Sequence, residues 1–138
     1  MVLVNYPHSF NYRELPFGNF PIIQVRITRQ DDLELGIDID AYLDSGAELS
    51  LFNGDFLAAL DISLINNRPK PYSSTVGHSV TGYLHEVRLT VPTVGDFNLE
   101  IGFSDVPIRR NLLGRDFFNF VQIGFREHQQ QYYLNTTP

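Results

Sequence analysis

Alternation of apolar and polar positions dominates this chain. From Pro21 to Thr28, Ile23, Val25 and Ile27 alternate with Gln24, Arg26 and Thr28, the period of two required of a strand with one buried face. Gln30-Asp31-Asp32 predicts a turn. In the next run Leu33, Leu35, Ile37, Ile39, Ala41 and Leu43 fall on one face, and Glu34, Gly36, Asp38, Asp40 and Tyr42 on the other. The two runs predict a hairpin that ends at Asp44. Asn53 followed by Gly54 to Leu60 predicts a capped short helix, and 61–72, with Asn66-Asn67 and Pro69-Lys70-Pro71, predicts a loop.

Downstream, Gly77 and Gly82 lie between strand-like flanks, which predicts a long hairpin with a hinged tip. Its second flank continues through Val87, Leu89 and Val91. Further strands are predicted over Phe97 to Phe103 and Arg110 to Leu113. Phe117, Phe118 and Phe120 suggest one or two helical turns. Val121 to Arg126 and Gln131 to Leu134 form a final hairpin. Residues 1–18 have prolines and aromatics but no period, so they read as an irregular arm that packs somewhere. The whole predicts a mostly-β closed or folded sheet with one or two short helices.

Composition narrows the function. With 138 residues, 43% of them hydrophobic, the chain can build one core and hence one domain. The net charge is −6 and the basic residues are scattered, so the footprint of a nucleic-acid binder is missing. Without cysteine there is no disulfide, thiol nucleophile or cysteine-based zinc site. No run approaches the ~18 apolar residues of a membrane span, and Met1 to Phe20 lacks the charge-then-apolar order of a secretory leader. The expectation is a cytoplasmic protein without a membrane partner.

Candidate chemistry centres on Ala41-Tyr-Leu-Asp44-Ser45-Gly46-Ala47-Glu48-Leu-Ser-Leu-Phe52. A strand delivers a carboxylate to a tight turn, where Gly46 would supply unusual backbone angles and room for close approach. Asp, Ser and Gly also make ordinary turns. Asp38 and Asp40 share a strand face and are expected to be solvated rather than to hold a cation, which needs more oxygens and a loop. A second stretch, Asn111-Leu112-Leu113-Gly114-Arg115-Asp116-Phe117-Phe118, sets Gly-Arg-Asp between an apolar pair and an apolar run.

In their order and spacing these two stretches resemble the retropepsin family, the single-lobed aspartic proteases of retroviruses and their relatives. The resemblance covers residues 20 to 135. It implies a closed β-barrel working as a symmetric homodimer, because one Asp-Ser-Gly turn per chain supplies only half of the required carboxylate pair. It divides the chain into an N-terminal arm, 1–19, and a protease domain, 20–138. Catalytic roles fall to Asp44, Ser45 and Gly46. A flap at about residues 75–84 would close over extended polypeptide substrate. Substrate would meet Ala47 and Glu48 on the floor and Gly77, His78, Ser79 and Val80 on the flap. Gly114, Arg115 and Asp116 would brace the site, Arg115 through an expected contact with Glu48. No metal or cofactor is implied. The final hairpin is the expected dimer interface, since an unpaired strand edge invites a second chain.

The sequence leaves other outcomes open. A catalytically silent retropepsin-like module could bind peptide or mediate dimerisation, and a β-barrel of another kind would keep Asp44 as a plain turn residue.

Overall fold

A computed structural model of the chain describes residues 6–73 and 79–136. Two runs of alternating residues become β4 (Ile22–Thr28) and β5 (Gly36–Leu43), paired antiparallel with Ile23 opposite Ala41 and Val25 opposite Ile39. The apolar pattern extends to Leu33 and Leu35, but the strand does not. Asp32 accepts the Glu34 N–H and draws the chain into a turn, leaving both leucines exposed.

Six strands close on themselves. Next to β5 lies β10 (Leu112–Leu113), then β6 (Leu51–Asn53), β9 (Gly95–Ser104) and β8 (Ser79–Val91). The far half of β8 returns to β4, with Ile27 opposite Leu89, and this pairing completes the barrel. Its interior is filled by the inward row of each strand, including Val25, Ile27, Ala41, Leu89, Ile101 and Phe103, all buried. Phe52 and Phe103 meet edge-on with ring centroids 6.2 Å apart.

A seventh strand, β7 (Pro69–Ser73), pairs with the near half of β8 and occupies the part of the chain expected to be a loop. Proline removes a ladder donor, so Pro69 and Pro71 suit an outermost strand, and β7 is outermost. The helix expected after Asn53 is a 3-10 helix, Gly54–Leu60, and Asn53 makes no side-chain cap.

The N-terminal segment is not irregular. β1 (His8–Asn11) pairs with β12 (Gln131–Thr136), and β2 (Arg13–Leu15) forms a hairpin with β3 (Gly18–Phe20) around Pro16-Phe17. β12 therefore lies between β1 and β11 (Val121–Arg126), and the final hairpin keeps an outer edge only along β11. Phe10 stacks on Tyr132 at 5.0 Å, and the Tyr132 hydroxyl donates to the Ile22 carbonyl at 3.1 Å, joining this small sheet to the barrel. A four-residue helix, α1 (Arg115–Phe118), links β10 to β11. Among the described residues no helix is long and apolar enough to cross a membrane.

Candidate active site

Asp44 stands at the end of the outward face of β5. Ile39, Ala41 and Leu43 point into the core, so Asp38, Asp40, Tyr42 and Asp44 share the opposite side. The first three each meet an arginine. Arg26 bonds Asp38 at 3.3 Å, Arg13 holds both oxygens of Asp40 at 2.5 and 3.1 Å, and the Arg110 guanidinium lies 4.6 Å from the centre of the Tyr42 ring. Asp38 and Asp40 lie on a solvated face, as expected, and each is in addition ion-paired. Among the described residues no cation pairs with Asp44.

The ladder of β5 runs one step beyond its last residue, because the Asp44 N–H donates to the Leu113 carbonyl at 2.9 Å. The turn is then closed from both sides of Asp44. Its carbonyl accepts the Ala47 N–H at 3.2 Å, and its Oδ1 accepts the Gly46 N–H at 2.9 Å. Gly46 does not take a positive φ; among the described glycines only Gly18 does. What constrains Gly46 is proximity, since a Cβ there would lie 3.2 Å from Asp44 Oδ1. Ser45, Gly46 and Glu48 are exposed and Ala47 is half-buried.

The turn is braced from behind by the start of α1. The first N–H groups of a helix have no partner within it, and here the Arg115 N–H donates to the Ala47 carbonyl at 2.8 Å and the Asp116 N–H to the Glu48 carbonyl at 3.2 Å. Gly114 allows this approach, because a Cβ on it would lie 2.6 Å from the Ala47 oxygen. The expected Arg115 to Glu48 ion pair is not formed. Arg115 contacts the turn through its backbone, and its side chain makes no ion pair among the described residues.

The bracing side chain is Asp116, and its partner is a residue that the sequence reading passed over. Ser50 is fully buried and donates from its N–H to Asp116 Oδ2 at 2.9 Å and from its hydroxyl to Asp116 Oδ1 at 2.6 Å. The same hydroxyl accepts the Gly114 N–H at 3.0 Å. A signal was present: a lone serine inside Leu49-Ser50-Leu51-Phe52 must find partners if it is buried. A second lock joins Asn53 to the segment before β10. Asn111 Oδ1 accepts the Asn53 N–H at 2.9 Å, while Asn53 Oδ1 accepts the Ile108 N–H at 2.7 Å. This is where the expected helix-capping side chain is used.

Of the flap positions, Gly77 and His78 lie outside the described residues. Ser79 and Val80 open β8 opposite Ser73 and Tyr72, with Ser79 exposed and Val80 half-buried. No hydrogen bond among the described residues joins them to the turn at 44–48. Gly82, expected to hinge, is instead buried mid-strand beneath the ring of Tyr72. A Cβ on Gly82 would lie 2.4 Å from that ring, and one on Gly102 2.1 Å from its hydroxyl. The Tyr72 hydroxyl donates to the Ser50 carbonyl at 3.3 Å, so the hairpin and the braced turn share one contact.

No protein-family model and no curated protein matches the chain. Among solved structures it is similar to EIAV protease complexed with the inhibitor HBY-793, with a TM-score of 0.56 and 18% sequence identity. The match covers 78% of this chain and 92% of that one. At this identity the likeness concerns architecture: the chain has the mostly-β, retropepsin-like fold of a retroviral protease.

Proposed function

We propose that the protein is a homodimeric aspartic endopeptidase in which Asp44 of two copies meet on the two-fold axis. The observation that carries this reading is the Asp44 carboxylate itself, outward-facing at the end of β5 and free of any cation among the described residues. Two such carboxylates brought close together cannot both ionise, so they share one proton. The ionised one takes a proton from water as its oxygen attacks the peptide carbonyl carbon. The protonated one donates to the carbonyl oxygen. As the C–N bond breaks, the carboxyl that took the water proton gives it to the leaving nitrogen. The other takes back a hydroxyl proton from the tetrahedral intermediate, restoring the one-proton pair.

In this reading Ser45 supports the carboxylate pair by hydrogen bonding, and Gly46 keeps Asp44 in place through its N–H. Substrate lies extended between Ala47 and Glu48 below and the hairpin containing Gly77, His78, Ser79 and Val80 above, paired through its main chain. Gly114 and Asp116 hold the turn rigid. Residues 20–138 are the protease domain, and the arm 1–19 adds β1 to the terminal sheet. The outer edge of β11, beside exposed Phe120 and Phe125, is the surface offered to the second copy.

The test is cleavage of a peptide library by the purified chain between about pH 3 and 8, compared with Asp44→Asn. Because each copy carries the change, Asp44→Asn removes both carboxylates of the pair, and the rate should fall by at least about 10²–10⁴-fold. A wild-type protein that forms dimers yet cleaves nothing across this range overturns the reading.

A further inference from the structure

We propose that Arg110 selects an acidic side chain, glutamate or aspartate, at the substrate residue flanking the scissile bond; this rests on the protease reading. The Arg110 guanidinium lies 5.1 Å from the centre of the Phe20 ring and 4.6 Å from that of Tyr42. These two rings are 5.7 Å apart, and Phe17 extends the cluster 5.5 Å beyond Phe20. Both rings attract the cation, and a guanidinium on an aromatic surface can still donate hydrogen bonds. Its N–H donors make no hydrogen bond or ion pair among the described residues. By contrast Arg13, Arg26, Arg29, Arg68 and Arg88 are each paired with a carboxylate.

Position decides what this cation can reach. Tyr42 lies two residues before Asp44 on the same face of β5, a separation of about 7 Å along a strand. Arg110 is tied to that place by the backbone as well, since the Tyr42 N–H donates to the Asn111 carbonyl at 2.8 Å. A peptide whose carbonyl sits over Asp44 therefore sets a neighbouring side chain against the Phe20–Tyr42 pair and beneath Arg110. The rings suit an apolar stem, and the guanidinium edge suits a carboxylate held by two parallel N–H bonds. A lysine or arginine there meets like charge.

The experiment uses one peptide series differing only at the residues flanking the scissile bond, with Glu, Asp, Gln, Leu or Lys. Cleavage is measured for wild type, Arg110→Gln and Arg110→Lys. Binding of the same peptides is measured separately on Asp44→Asn. Wild type should prefer Glu over Gln by about tenfold in kcat/KM, the scale of one pocket contact. Arg110→Gln should bring that ratio near one, and Arg110→Lys should restore part of it. Cleavage without acidic preference, or with a preference unchanged in Arg110→Gln, overturns the role of Arg110 and leaves the protease reading intact. No cleavage, but acid-selective binding by Asp44→Asn that is lost when Arg110→Gln is added, overturns the protease reading and sustains the subsite. Neither cleavage nor selective binding overturns both.

Discussion

Ser50 binds both oxygens of Asp116 across 66 residues of sequence, its N–H at 2.9 Å from Oδ2 and its hydroxyl at 2.6 Å from Oδ1. The second oxygen also accepts the Phe117 N–H at 2.8 Å. Every group facing this carboxylate is a donor, so its two oxygens are not interchangeable with an amide. In Asp116→Asn either placement of the NH₂ sets it against a backbone N–H. This nearly isosteric change should cost about 1–3 kcal/mol, as should Ser50→Ala, measured by urea denaturation. Two variants as stable as wild type would remove the latch from the account of the site.

Gly114 sits where the α1 start and the Asp44 turn touch. A Cβ 2.6 Å from the Ala47 carbonyl must push backbone, not a flexible side-chain tip. Gly114→Ala should therefore destabilise the chain by about 1–3 kcal/mol. On the proposed protease reading, peptide cleavage should fall as well, because the Arg115 N–H to Ala47 bond shares the same gap. Unchanged melting and activity together would contradict this.

Tyr72 lies across two glycines, and the pair can be tested by a double-mutant cycle. Gly102→Ala drives a methyl group into the tyrosine hydroxyl and should cost about 1–3 kcal/mol alone. In a Tyr72→Ala background the same change should cost much less, since the obstructing ring is gone. Additive losses would mean that the ring does not rest where the structure puts it.

Alkaline pH should weaken the fold. Burial pushes the Tyr12 hydroxyl up to about 12, helped by its bond to Glu127 at 2.6 Å. Tyr72 also rises to about 12, from burial first and then from the charges of Asp116 and Glu100. Below about pH 10 both folded and unfolded phenols keep their protons and the stabilisation is complete. Between about 10 and 12 the unfolded chain loses protons that the folded one retains, so stability falls. Denaturation midpoints at about pH 9 and 11.5 should differ, and the difference should shrink when Tyr12→Phe and Tyr72→Phe are combined. An equally steep fall in that double variant would exclude these two groups as its source.

Asp44→Asn should leave stability within about 0.5 kcal/mol of wild type in the monomer, the range of ordinary surface changes. The only described side-chain bond of Asp44 is the one it accepts from the Gly46 N–H, and an asparagine oxygen can replace it. A loss of several kcal/mol would mark the carboxylate as structural.

Alternation along 22–28 and 36–43 was legible because a strand with one buried face repeats its chemistry every second residue, so β4, β5 and the placing of Asp44 at a turn follow from local pattern. Gly114, Arg115 and Asp116 were marked out not by alternation but by the resemblance of their stretch to a retropepsin motif. Tertiary structure decided the rest. β10 holds only Leu112 and Leu113, too short for any period, yet its insertion between β5 and β6 carries Asp116 to Ser50. Pro69 and Pro71 disguised an outermost strand as a loop. Arg110 meets Phe20 and Tyr42 only after three segments distant in sequence converge. Periodicity records which face of one segment is buried; which polar group each buried or outward side chain meets depends on strands paired across the whole chain.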